Sequence, residues 1–181
     1  VAITRFATGQ RFTAAALNGV ITEFESYIAR TYVKGSTESR ASTTTLTNDS
    51  ELNTIPLDIG TYRIELVGFF TVGSNTPRLV TRWGFTGTWN NPDRVCFGPG
   101  ATETAAPNVA TTVNVQGYQA AGQSATYNII NTAVYTSFRE VSMNVVVTAA
   151  GSLSLQWAQF SSNAAATAVQ PGTAFEIRRI F

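Results

Sequence analysis

A strict two-residue alternation near the carboxy-terminal end constrains this chain more than any other feature. In "SLSLQWAQF", residues 152–160, Leu153, Leu155 and Trp157 alternate with Ser152, Ser154 and Gln156; further on, Phe175 and Ile177 alternate with Ala174, Glu176 and Arg178. Successive side chains of a β-strand point to opposite faces, so each segment has one face for a core and one for elsewhere. Leu153, Leu155 and Trp157 are expected to form a core strand. Similar runs, separated by Gly, Pro and Asn clusters, predict strands at 31–34, 43–46, 61–72, 78–85, 111–118, 125–135, 139–148, 152–160 and 173–180. A mainly β chain of this kind closes as an antiparallel β-sandwich or a barrel. "AAGS", residues 149–152, has glycine at its third place and predicts a hairpin between its flanking strands.

One segment breaks the pattern. In "TAAALNGVITEFESYIAR", residues 13–30, Leu17, Ile21, Phe24 and Ile28 recur at helical spacing behind Thr13 as N-cap. The stripe is narrow, like a coiled-coil seam, and Gly19 with the β-branched Val20, Ile21 and Thr22 weakens the helix in isolation. The helix is therefore expected to dock onto something. The expected organisation is an arm and helix over residues 1–30 and a β domain over 31–181, and 181 residues suffice for one sizeable core.

Composition removes several classes of function. Twelve basic side chains stand against 11 acidic ones, so there is no electrostatic footprint for nucleic acid. With no histidine and a single cysteine, Cys96, neither a Ser/His/Asp or Cys/His constellation nor an ordinary zinc ligand set can be assembled in one chain. No segment approaches the roughly 18 uninterrupted apolar residues of a membrane helix, and no membrane partner is expected. Val1 is what removal of an initiator methionine before a small residue would leave, so the chain is expected to begin near its natural start and to be made without secretion.

The remaining chemical signals are weak. Asp49 and Glu51 in "NDSEL" are spaced like alternate calcium ligands, but the glycine and closing glutamate of an EF-hand loop are missing, and a polar turn is the expectation. Two carboxylates for glycoside cleavage would have to come from Asp58, Glu65, Asp93, Glu103, Glu140 and Glu176, all of which read as ordinary exposed charges. Lys34, the single lysine, carries no local mark of function. No catalytic residues, metal or cofactor are expected. Residues 84–107 contain three of the six prolines and predict a long surface excursion with at most a short strand at 94–97. Trp83, Trp89 and Arg94 are the candidate surface-recognition residues; Trp83, Trp89 and Tyr118, with Phe85 and Phe97, could form an aromatic platform for sugar rings, core or interface packing being the other reading. The uncharged run "SSNAAATAVQPGT", residues 161–173, suits either a close contact between subunits or an ordinary connection.

Two stretches, "ESRASTTTLTNDSELNTIPLDIGTYRIELVGFF" (38–70) and "GSLSLQWAQFSSNAAATAVQPGTAFEIRRI" (151–180), together resemble a β-rich module of virion proteins of actinobacterial tailed bacteriophages, named minor tail, head decoration or fibre proteins. The arginine-rich, lysine-poor composition agrees with that origin. The resemblance implies a jelly-roll-like head that assembles as a homotrimer, and an amino-terminal segment that holds it to the capsid or tail. Phe6, Phe12, Leu17, Ile21, Phe24 and Ile28 would then form the virion anchor and oligomer seam. Residues 84–107 depart from the family pattern. The function this implies is a structural component of a phage virion, assembled in the host cytoplasm, with binding of a host cell-surface glycan by the head as the alternative.

Overall fold

A computed structural model describes residues 13–74, 76–90, 92–101, 113–118, 122–129 and 135–180; of residues 16, 22–27 and 113–118 it describes the backbone alone. Helix α1 (Ala14–Tyr27) is followed by β1 (Arg30–Val33), β2 (Glu38–Arg40), β3 (Thr47–Asn48), β4 (Ile55–Leu57), β5 (Gly60–Val72), β6 (Leu79–Phe85) and β7 (Thr88–Asn90). Then come β8 (Arg94–Pro99), β9 (Val113–Tyr118), β10 (Ala125–Tyr127), β11 (Thr136–Ala149), β12 (Gly151–Gln159), β13 (Thr167–Val169) and β14 (Ala174–Arg179). Among the described residues all pairings are antiparallel and the strands form two sheets, a mainly β sandwich with one helix.

The first sheet runs β1-β14-β5-β11-β8-β9, with β13 between β5 and β2 and with β7 on β11. Strand β5 organises it: Ile64, Leu66, Phe70 and Val72 point inward and are fully buried, as the alternation of "GTYRIELVGFFTV" requires. One half of β5 pairs with β14 and the other with β13, so these two act as one strand broken at "QPGT". Strands β1 and β2 are broken alongside, where Lys34 N donates to Thr173 O and Gly172 N to Lys34 O. The second sheet runs β10-β6-β12-β3, with β4 also on β12, and between β3 and β4 the ladder is interrupted by the loop that begins at Asp49. Both interruptions fall at one level of the sandwich.

The core between the sheets contains Leu153, Leu155 and Trp157, each fully buried from the central strand of the second sheet. At one end Phe138 stacks on Tyr127 at 4.8 Å and meets Phe70 edge-on at 5.9 Å. Gly68 makes room for this cluster, since a Cβ there would lie 2.2 Å from the Phe138 ring. Gly68→Ala is expected to lower stability by about 1–3 kcal/mol through overpacking, read as a lower urea midpoint at unchanged slope.

Three expectations about the chain path need correction. The "AAGS" segment does not form a hairpin: β11 belongs to the first sheet and β12 to the second, so Ala150 turns a corner between layers. Close approach of two glycines shapes the corner, because a Cβ on Gly151 would sit 2.2 Å from Gly87 N, and Thr86 and Ser152 exchange hydrogen bonds across it. Residues 84–107 are not a surface excursion throughout, since β7 and β8 both add to the first sheet and Arg94, Cys96 and Pro99 are buried. Finally, no strand forms at 43–46; β2 and β3 lie on either side of it. Within the uncharged run, Thr167, Ala168 and Val169 form β13 and are buried inside the chain, which corrects the reading of that part as a subunit contact.

Candidate assembly surface and the ionic clusters behind it

Helix α1 begins where the spacing predicts, with Leu17 N donating to Thr13 O at 3.0 Å. Leu17, Ile21 and Ile28 are 44, 45 and 58 % exposed, so the chain's own sandwich leaves much of these three side chains uncovered. The side chain of Phe24, and Phe6 and Phe12 altogether, lie outside the described residues. A shallow groove lies where the helix end meets the sandwich, lined among others by Ile28, Tyr32, Leu57, Tyr62 and Ile177. Among the described residues no helix is long and apolar enough to cross a membrane.

The expected recognition residues sit elsewhere. Trp83 and Arg94 are each 4 % exposed, which corrects their assignment to the surface. Trp83 meets Phe175 edge-on at 5.6 Å within the core, and the Arg94 guanidinium lies 5.4 Å from its ring. Trp89 stacks on Phe85 at 4.9 Å and packs against the core edge, so the three do not form an exposed platform.

Arg94 is inside because it has a partner. Its Nη1 donates to Glu140 Oε2 at 2.9 Å and its Nη2 to Gln123 O, while Glu140 Oε1 accepts from Tyr127 at 3.0 Å and from Thr81. Arg94 and Glu140 come from the first sheet, Thr81 and Tyr127 from the second, so the cluster bolts the two layers together. Burial, reinforced by the Glu140 charge, pushes the neighbouring Cys96 thiol up to about 12, and burial likewise raises the Tyr127 hydroxyl. Glu140 points into the core while Glu65, on the facing strand, points out to Arg139 and Arg63; these two carboxylates do not converge.

A second cluster fills the level at which both sheets are interrupted. Lys34, fully buried, lies 2.9 Å from Asp49 and 3.5 Å from both Glu38 and Glu51. Asp49 Oδ1 also accepts from the Glu51 and Leu52 amides, and Oδ2 accepts from Trp157 Nε1 at 3.1 Å. Arg40 lies 3.9 Å above the Trp157 ring and binds Glu38. Thus the turn expected at "NDSEL" exists, but its aspartate is buried and anchors the sequence's only lysine. Among the described residues no group of three His, Cys, Asp or Glu is placed to hold a metal ion.

Burial works to raise the Glu38 carboxyl, yet hydrogen bonds from Ser50 and Arg40 outweigh it and hold it at about 2, below the ordinary 4.5. The Ser36 side chain and the Gly35 amide hold Glu51 at about 2 as well. A carboxyl depressed by folding contributes stability that is present above its unfolded value and lost as pH falls through its folded one. Stability is therefore expected to drop between about 4.5 and 2, with the gap between wild type and Glu38→Gln narrowing across that window in urea titrations.

No family model and no curated protein matches the chain. Among solved structures it is similar, weakly, to particles of infectious bursal disease virus. The VP2 subviral particle aligns at 10 % identity and a TM-score of 0.23, covering 84 % of this chain and 41 % of that one. The Gx strain structure aligns at 11 % identity and a TM-score of 0.19, covering 84 % and 40 %. This chain thus spans about 40 % of the length of the proteins it matches.

Proposed function

We propose that this chain is a structural component of a bacteriophage virion, a capsid decoration or minor tail protein. Residues 1–30 attach it to capsid or tail, and the sandwich forms the displayed head of a homotrimer. The observation that carries this reading is the exposed stripe of Leu17, Ile21 and Ile28. A 14-residue helix with an internal glycine is marginal alone, and its own sandwich leaves much of the stripe uncovered. Sister helices or the particle would cover it, burying apolar area worth about 25 cal/mol per Å², repeated in each copy.

Deleting residues 1–30 tests this. The truncated chain is expected to keep the far-UV β signature and a cooperative melt while no longer co-sedimenting with particles; normal incorporation would overturn the anchor. A glycan-binding head loses the support of Trp83 and Arg94, which are committed to the core. Assembly rather than catalysis is the proposed role, and purified protein is expected to release no reducing sugar from host-wall polysaccharide.

A further inference from the structure

The outward face of the first sheet carries apolar side chains where a solvated antiparallel sheet would carry polar ones. Register places Val33, Ala174, Val67, Arg139 and Phe97 in one row across β1, β14, β5, β11 and β8. The next row is Thr31, Glu176, Glu65, Val141 and Val95. Val33, Val67, Val95 and Phe97 are 36 to 59 % exposed on this face. Valine and phenylalanine on an outer face, interspersed with Arg139, Glu65 and Glu176, have the mixed composition of a contact surface.

The charges are ordered in a way that selects the occupant. The acidic pair Glu176 and Glu65 lies next to a basic pair, Arg178 and Arg63, one row further along the same two strands. Glu65 is bonded to Arg139 at 2.7 Å and to Arg63 at 3.1 Å, whereas among the described residues no ion pair ties Glu176 or Arg178. A twofold axis lying in the face, parallel to the rows and between the acidic and basic ones, sets Glu176 opposite Arg178 of a second copy and Glu65 opposite its Arg63. The same rotation lays the Val33–Phe97 row over the row that contains Thr61 and Val146, with Ile180 beside Thr61. An axis parallel to the strands would instead set acid against acid.

From this register we infer that the outer face of the first sheet packs on the same face of a second copy of the chain about that twofold axis. This deepens the oligomeric reading above and depends on it only for the number of copies. Strands β14, β5 and β11, about 4.8 Å apart, reach through all four rows, about 6.8 Å apart, while β1 and β8 reach only the first two, so the footprint is near 20 Å by 10 Å with a wider end. That is well under half the area per partner of a stable interface, so the contact is weak for one chain and strong only when repeated. Threefold helix contacts together with twofold sheet contacts join trimers to one another, as a particle surface requires.

A charge swap read by sedimentation velocity tests the inference, and both positions are exposed, so the fold is spared. Glu176→Arg is expected to weaken association of the full chain by about tenfold or more, and Glu176→Arg with Arg178→Glu to restore it. The Leu17→Glu, Ile21→Glu variant, which removes the helix seam, is expected to leave a concentration-dependent dimer. If Glu176→Arg has no effect, or the double swap fails to restore association, the twofold contact is wrong while a helix-borne trimer still stands. A wild-type chain that is monomeric at every concentration overturns both.

Discussion

Glu140→Ala is expected to be among the most damaging single substitutions in this protein, lowering stability by about 3–5 kcal/mol. The change leaves the Arg94 guanidinium buried without its carboxylate and takes an acceptor from Thr81 and from Tyr127. Against a total of about 5–15 kcal/mol for a domain, such a loss brings the fold close to its limit. The measurement is urea unfolding, with the midpoint falling and the slope unchanged. Glu140→Leu combined with Arg94→Met is expected to recover most of the loss, because replacing a buried pair by apolar groups of similar volume removes the uncompensated charge. Equal damage in the single and double variants would show that the pair is not coupled.

Asp49→Ala is expected to cost a comparable amount by a different route. It removes the nearest counter-charge of the buried Lys34 and, with it, the acceptor for Trp157 Nε1 and for the Glu51 and Leu52 amides. Asp49→Asn keeps an acceptor oxygen but not the charge, so it should fall between wild type and Asp49→Ala in thermal melts. If Asn and Ala were equally harmful, the charge on Lys34 rather than the turn geometry would dominate. If Asn were neutral, the reverse would hold.

These clusters also show where sequence reasoning stops. Alternation alone located β5, β12 and β14, because burial of one face imposes a period of two on each strand by itself. Which sheet a strand joins is decided by partners distant in sequence. "AAGS" carries glycine where a hairpin would, but β11 pairs with β5 and β12 with β6, so it becomes a corner between layers at which Gly151 lies close to Gly87. Arg94 had a readable signal that charge obscured: it lies two residues before Cys96 on one strand, so parity puts both on the same face, which is the inner one. Glu140, its partner, is 46 residues away and has no local mark. Lys34 is equally silent, since the interruptions that aim it at Asp49 occur in two different sheets. The helix was legible because an apolar recurrence at helical period shows in spacing alone, whereas the outward rows of the first sheet exist only once five strands are in register.

The most direct test of the central claim is whether the chain is part of the particle. Purified virions from an infected host, imaged with gold-tagged antibody against this chain and analysed by quantitative mass spectrometry, are predicted to carry it in a fixed copy number, a multiple of three, at regular surface positions. Its presence in the lysate together with its absence from purified virions would contradict the account.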